Sequence, residues 1–191
     1  TVEHAAEKID EVEDMEPSVE VFAESHRRWT GIGVTSKGKV FVNFPRWSDD
    51  VPISVAFLED GRPVPFPDAS WQNWEEGGEF DKKFVAVQSV VVDEKDNVWV
   101  LDTGNPKFQG LVQGAARLFK FDTEGRLLET HHFVAPVVKP DSYLNDVRIN
   151  HQTGHAYLTD SGVGGLVVLE LATGDPRRVL DGHPSTMATD I

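Results

Sequence analysis

The sequence predicts an all-β fold of the β-propeller class, with about three blades present in the chain. Two observations carry this reading. Residues 143–171 hold three short strand signals joined by glycine-marked turns, an antiparallel meander that alternates around Val147 and Ile149 and turns at Thr153-Gly154 and Gly164-Gly165. That segment also recurs: Phe41, Trp99 and Tyr157 stand 58 residues apart, and Asp102 and Gly104 align with Asp160 and Gly162. A period of several tens of residues, with about four strand signals in each, points to propeller blades rather than a helical solenoid.

Taken in order, residues 1–18 form an acidic leader. Ala5, Ile9, Val12 and Met15 are spaced for a short amphipathic helix, which Pro17 would end. Residues 19–25 alternate as a strand, placed to close the last blade of a ring. Blade 1 (29–67) is expected to have strands at 30–35, 40–44, 51–58 and 62–66. Pro63 and Pro65 make the fourth an edge strand, hence the outermost. A long loop carrying Trp71, Trp74, Phe80 and Phe84 follows, either functional or anchored by its rings. Blade 2 (85–133) has strand signals at 86–93, 98–101, 115–122 and 127–133, with an enlarged loop between its second and third strands. Blade 3 (143–182) reads as 144–150, 156–159, 166–171 and 177–180, and 183–191 leads toward a fourth. Closed propellers need roughly four to eight blades, so the remainder of the propeller is expected outside these residues.

Composition narrows the function classes. A formal charge of −14 argues against nucleic acid as partner, because counterion displacement needs basic patches. Much of that charge is local, since residues 1–25 set nine acids against Lys8 alone. Without cysteine there is no disulfide framework or thiol nucleophile. The apolar runs are strand-sized, so no membrane insertion is expected. The chain opens at Thr1 rather than methionine, which suggests that something preceded it, and it contains no N-x-[ST] acceptor.

Two features could carry chemistry. Asp102-Thr103-Gly104 and Asp160-Ser161-Gly162 superficially resemble the paired loops of aspartic proteases, where two carboxylates share a proton. Their one-blade spacing and flanking residues count against it; such aspartates ordinarily bind nearby amides and hold a turn. The second feature is a rim. If the first strand of each blade lines the channel, Thr30, Gln88 and Asn145 occupy equivalent places at its mouth, with Asp102 and Asp160 just behind. These five are the candidate ligand-binding residues. His131 and His132 are adjacent on a strand, face opposite ways and cannot chelate one metal together.

In LNDVRI, AYLTDSG and GLVVLEL, together with VQSVVVD and VWVLDTGNP, the sequence resembles the major royal jelly protein and Yellow family, particularly its bacterial members, from about Val19 onward. The resemblance implies a six-bladed propeller, about half of it present here. It also implies a secreted or periplasmic setting and kinship with gluconolactonase-like hydrolases. The lactonases hold a divalent metal through a first-blade glutamate, a third-blade asparagine and a fourth-blade aspartate, often with a second-blade asparagine. Asn145 matches the third-blade ligand, so a divalent metal, calcium foremost, is the implied cofactor, with no organic cofactor. Thr30 and Gln88 depart from the pattern. The function expected is binding of a small organic molecule at the channel mouth. Two extensions stay open, metal-dependent lactone hydrolysis and a non-catalytic binding or interaction protein.

Overall fold

The computed structural model describes residues 18–188, and the helix expected near the N-terminus lies outside them. Three four-stranded antiparallel sheets follow one another along the chain. The first is β1 (Gly31–Val34), β2 (Val40–Asn43), β3 (Val55–Glu59) and β4 (Arg62–Pro65). The second is β5 (Val87–Val92), β6 (Val98–Asp102), β7 (Arg117–Phe121) and β8 (Leu127–His132). The third is β9 (Leu144–Asn150), β10 (His155–Asp160), β11 (Gly165–Glu170) and β12 (Pro176–Val179). Each sheet is a simple up-and-down meander, as the repeat implied.

The sheets fan about a shared edge, because β1 lies against β5 and β5 against β9. The first strand of every sheet is therefore innermost and the fourth outermost. The prolines of β4 fit this, sitting on a strand with no further partner to which they would owe an N–H. Asp60 and Gly61 both have positive φ, the conformation a tight β3–β4 hairpin needs. Gly33 answers a different demand: a Cβ there would lie 2.9 Å from the Val92 nitrogen, so only a bare backbone lets β1 press against β5.

Two apolar layers glue the fan. Phe41, Val55, Phe66, Trp71 and Phe84 pack with Val90, Val98, Phe119 and Phe121 between the first two sheets. Trp99, Leu101 and Leu118 pack with Val147, Leu158 and Val167 between the second and third. The rings of the long loop thus anchor it: Trp71, Trp74 and Phe84 are buried, and Gln72 accepts the Ser54 amide while donating to the Phe66 carbonyl. The outer face of the first sheet differs, with Ile32 66% and Val34 53% exposed.

Residues 19–25, read as a strand, pair with nothing among the described residues, and Val19, Val21 and Phe22 are exposed. An alternating pattern becomes a strand only where a neighbour takes its hydrogen bonds. Residues 183–188, read as leading toward a fourth blade, hold a 3-10 turn over Pro184–Thr186.

Candidate functional site

The two D-x-G motifs are hydrogen-bonding hubs behind the rim. Asp102 is fully buried; it accepts the amides of Val85 (2.7 Å), Ala86 (2.8 Å) and Gly104 (3.0 Å), and the Arg117 guanidinium lies 3.2 Å away. Gly104 has φ +65, and a Cβ there would meet the Ala115 backbone at 2.6 Å. Asp160 accepts the amides of Tyr143 (2.9 Å) and Gly162 (3.0 Å), the Ser142 hydroxyl (2.6 Å) and Arg178 (2.8 Å). Burial pushes this carboxyl up, but those donors outweigh burial and hold it below its ordinary range. Each aspartate joins the start of an inner strand to the end of the second. Neither is among the residues lining the polar cavity beside Thr30, Gln88 and Asn145.

The rim itself is built by two matching irregularities. Val87 pairs with Asp102 and Ser89 with Leu101, leaving Gln88 without a ladder partner. Leu144 pairs with Asp160 and Asp146 with Thr159, leaving Asn145 likewise. Gln88 and Asn145 are thus equivalent β-bulge residues, and a bulge re-aims the side chain it carries. The bulge places Asn145 between the Thr159 and Asp160 rungs. In the first sheet Thr30 takes the corresponding place without a bulge, its amide donating to the Asn43 carbonyl.

These three positions meet. The Thr30 hydroxyl donates to the Gln88 carbonyl (2.8 Å) and accepts from the Asn43 amide (2.9 Å). Gln88 Nε2 donates to Asn145 Oδ1 (3.0 Å), while Gln88 Oε1 accepts the Tyr143 hydroxyl (2.6 Å). Tyr143 in turn accepts from Trp47 Nε1 (2.8 Å), and burial pushes its phenol up to about 12. Thr30, Gln88 and Asn145, with Ser89, Asp146 and Arg148, line a cavity of about 290 Å³ at the inner edge of the fan. Asp146 Oδ1 collects the Ser89 hydroxyl, the Val147 amide and Arg148, each at 2.8 Å.

Above this rim, Phe108 stacks on Tyr143 (4.8 Å between centroids) and leans on Trp47 (5.9 Å), yet stays 60% exposed. It sits on a strained turn, since both Lys107 and Phe108 have positive φ. The turn is pinned from both sides: Lys107 bonds to the Arg46 carbonyl and to Asp49, and Asn105 to the Ser142 carbonyl. Sequence reading missed Trp47, Phe108, Tyr143 and Asp146. Tyr143 could have been found as the residue two before the rim asparagine; the two loop aromatics carry no repeat register that would announce them.

The donor set does not make a divalent-cation site by itself. A hard cation wants several oxygens, carboxylates among them. Here Thr30 stands in place of a carboxylate, and the oxygens of Gln88 and Asn145 already accept hydrogen bonds. Among the described residues no group of three or more His, Cys, Asp or Glu is placed to hold a metal.

The geometry defines a class first: a β-propeller sector whose innermost strands converge on a polar mouth. The sequence profile of the major royal jelly proteins matches residues 85–187, more than half the chain, and the chain belongs to that family. It is 25% identical over 154 residues to the protein yellow of Drosophila erecta, covering 71% of this chain and 27% of that protein. The Drosophila melanogaster protein yellow is 24% identical over 152 residues, with the same coverage. The chain therefore spans about a quarter of the length of these curated relatives. Among solved structures, a protein of unknown function from Bacteroides caccae superposes with a TM-score of 0.51 at 11% identity, covering 82% of this chain and 46% of that one. That likeness concerns the fold alone.

Proposed function

We propose that the chain supplies part of the mouth of a six-bladed propeller channel that binds a small organic molecule, completed by further blades and working outside the cytoplasm. The observation that carries this reading is the pair of equivalent bulges, which turn Gln88 and Asn145 into one cavity beside Thr30. Scaffold needs alone do not call for the same irregularity twice at the same rung, and bulges gather next to binding sites. Binding without turnover is favoured over hydrolysis. Of the described lining residues Asp146 is the carboxylate, and one of its oxygens, Oδ1, is taken up by Ser89, Val147 and Arg148; no histidine is among them.

The test is mass spectrometry of small molecules that co-purify with the protein, repeated on Gln88→Ala and Asn145→Ala. A compound present with the native chain and lost from both variants supports the reading. A compound retained equally by all three proteins removes the mouth from consideration.

A further inference from the structure

We propose that Trp47 fixes which way round the mouth presents its hydrogen-bonding groups, so that the cavity takes a neutral ligand edge carrying an acceptor beside a donor, as in a lactam or carboxamide. This rests on the mouth being the binding site and adds the chemistry it would select.

One chain of contacts dictates where the protons lie. An indole nitrogen can only donate. Trp47 Nε1 lies 2.8 Å from the Tyr143 oxygen, so the tyrosine must accept there and point its own proton elsewhere. On its other side Tyr143 meets the Gln88 amide at 2.6 Å, a distance that suits an O–H···O bond and is too short for N–H···O, which places Gln88 Oε1 there. Its Nε2 then faces Asn145, and only an acceptor suits it, so Asn145 turns Oδ1 inward at 3.0 Å. Amide orientations are commonly open to reversal because nitrogen and oxygen look alike. Here the donor-only indole and the short tyrosine–glutamine contact together remove that freedom for both amides.

Asn145 is therefore left with its Nδ2 toward the cavity. That amide nitrogen donates to no protein group among the described residues, and it is not among the buried polar atoms lacking a partner, so it is open to solvent. Beside it, Asp146 Oδ1 is saturated, whereas Oδ2 has no protein donor among the described residues. Both residues line the cavity, so it holds an amide donor and a carboxylate acceptor. The complementary edge is an acceptor next to a donor, which a lactam provides and a lactone of the same size does not.

The experiment has two readouts on the full chain. The first is the side-chain amide region of the ¹H–¹⁵N spectrum, assigned with Asn145→Asp and Gln88→Glu. A protected Gln88 amide proton with solvent-like Asn145 amide protons is expected, and Trp47→Phe, folded by circular dichroism, should lose the Gln88 protection. Reversed protection, or no change in Trp47→Phe, overturns the orientation whatever the fragments do. The second is titration with 2-pyrrolidinone and with γ-butyrolactone, followed at Asn145. One additional hydrogen bond to a carboxylate corresponds to roughly tenfold or more tighter binding of the lactam, and Asp146→Asn should erase that preference. Equal binding of the two fragments overturns the donor-beside-acceptor selection. Confirmed orientation with neither fragment moving Asn145 overturns the mouth as the binding site and leaves the amide orientation standing.

Discussion

Replacing Asp93 by asparagine tests how the blades are held together away from the mouth. Asp93 sits in the β5–β6 turn, 9% exposed, and ties that turn to its own sheet and to the next. Its Oδ1 accepts the amides of Lys95 and Asn97 (both 2.9 Å); its Oδ2 accepts the Trp99 indole N–H (2.9 Å) and lies 2.9 Å from His151 Nε2 in the β9–β10 turn. Burial pushes the carboxyl up, but the bonds from Trp99, Asn97 and His151 outweigh it and bring it down to about 2, against an ordinary 3.8. A folded-state value below the unfolded one means stability that is complete above pH 3.8 and lost as the pH falls toward 2. At about 1.4 kcal/mol for each pH unit, the contribution is about 2.5 kcal/mol at neutral pH. In Asp93→Asn the new side chain would keep an oxygen for the two backbone amides but would turn an N–H₂ toward the Trp99 donor, so a loss of about 2 to 3 kcal/mol is expected. Urea unfolding of both proteins at several pH values between about 2 and 7 measures it. The two stabilities should converge as the pH falls through that window. A loss under about 0.5 kcal/mol at neutral pH, or parallel curves down to the acid end, refutes the reasoning.

Four further outcomes are expected. Trp99→Ala should cost about 3 to 5 kcal/mol in denaturant melts, since a ring 1% exposed leaves a cavity between two sheets; a loss below about 1 kcal/mol would contradict that packing. Gly104→Ala should cost more than about 1 kcal/mol, because it adds a left-handed φ to a clash with the Ala115 backbone; an unchanged melting temperature would count against it. Calcium titrated into the protein should leave the melting temperature unchanged, and a saturable rise that disappears in Asn145→Ala would restore the cation reading. Sedimentation should show concentration-dependent association through the outer face of the first sheet, weakened in Ile32→Glu; a monomer at all concentrations would contradict it.

The strands were legible because their signals are local and repeated. Val87–Val92 and Val98–Asp102 are runs of β-branched residues ended by polar turns, and the 58-residue recurrence supplied each strand with a counterpart to check against. Register at the mouth was not legible. A bulge moves one residue, and nothing in VQSV or LNDV says that Gln88 and Asn145 rather than their neighbours leave the ladder. The second limit was distance along the chain. Trp47 reaches Tyr143 across 96 residues, a pairing that no period announces. The five rim candidates also divided in a way composition could not foretell: Thr30, Gln88 and Asn145 share the cavity, while Asp102 and Asp160 are held in place by amides and arginines.

Those two aspartates also show that the repeats are less interchangeable than their sequences suggest. Asp102 takes its arginine from β7, the third strand of its sheet, whereas Asp160 takes Arg178 from β12, the fourth. The first sheet has Phe44 at the equivalent place and needs no counter-charge. Three copies of one meander thus close the same corner with three different wirings. A chimera that placed the Asp102 or Asp160 inner hairpin alone in the first sheet would strand a buried carboxylate without its cation, at a cost of several kcal/mol. Moving such a blade within this chain would mean carrying its outer strands along, and alignment on the repeat alone misplaces the partners, since Arg117 aligns with Asp175 and Arg178 with Lys120.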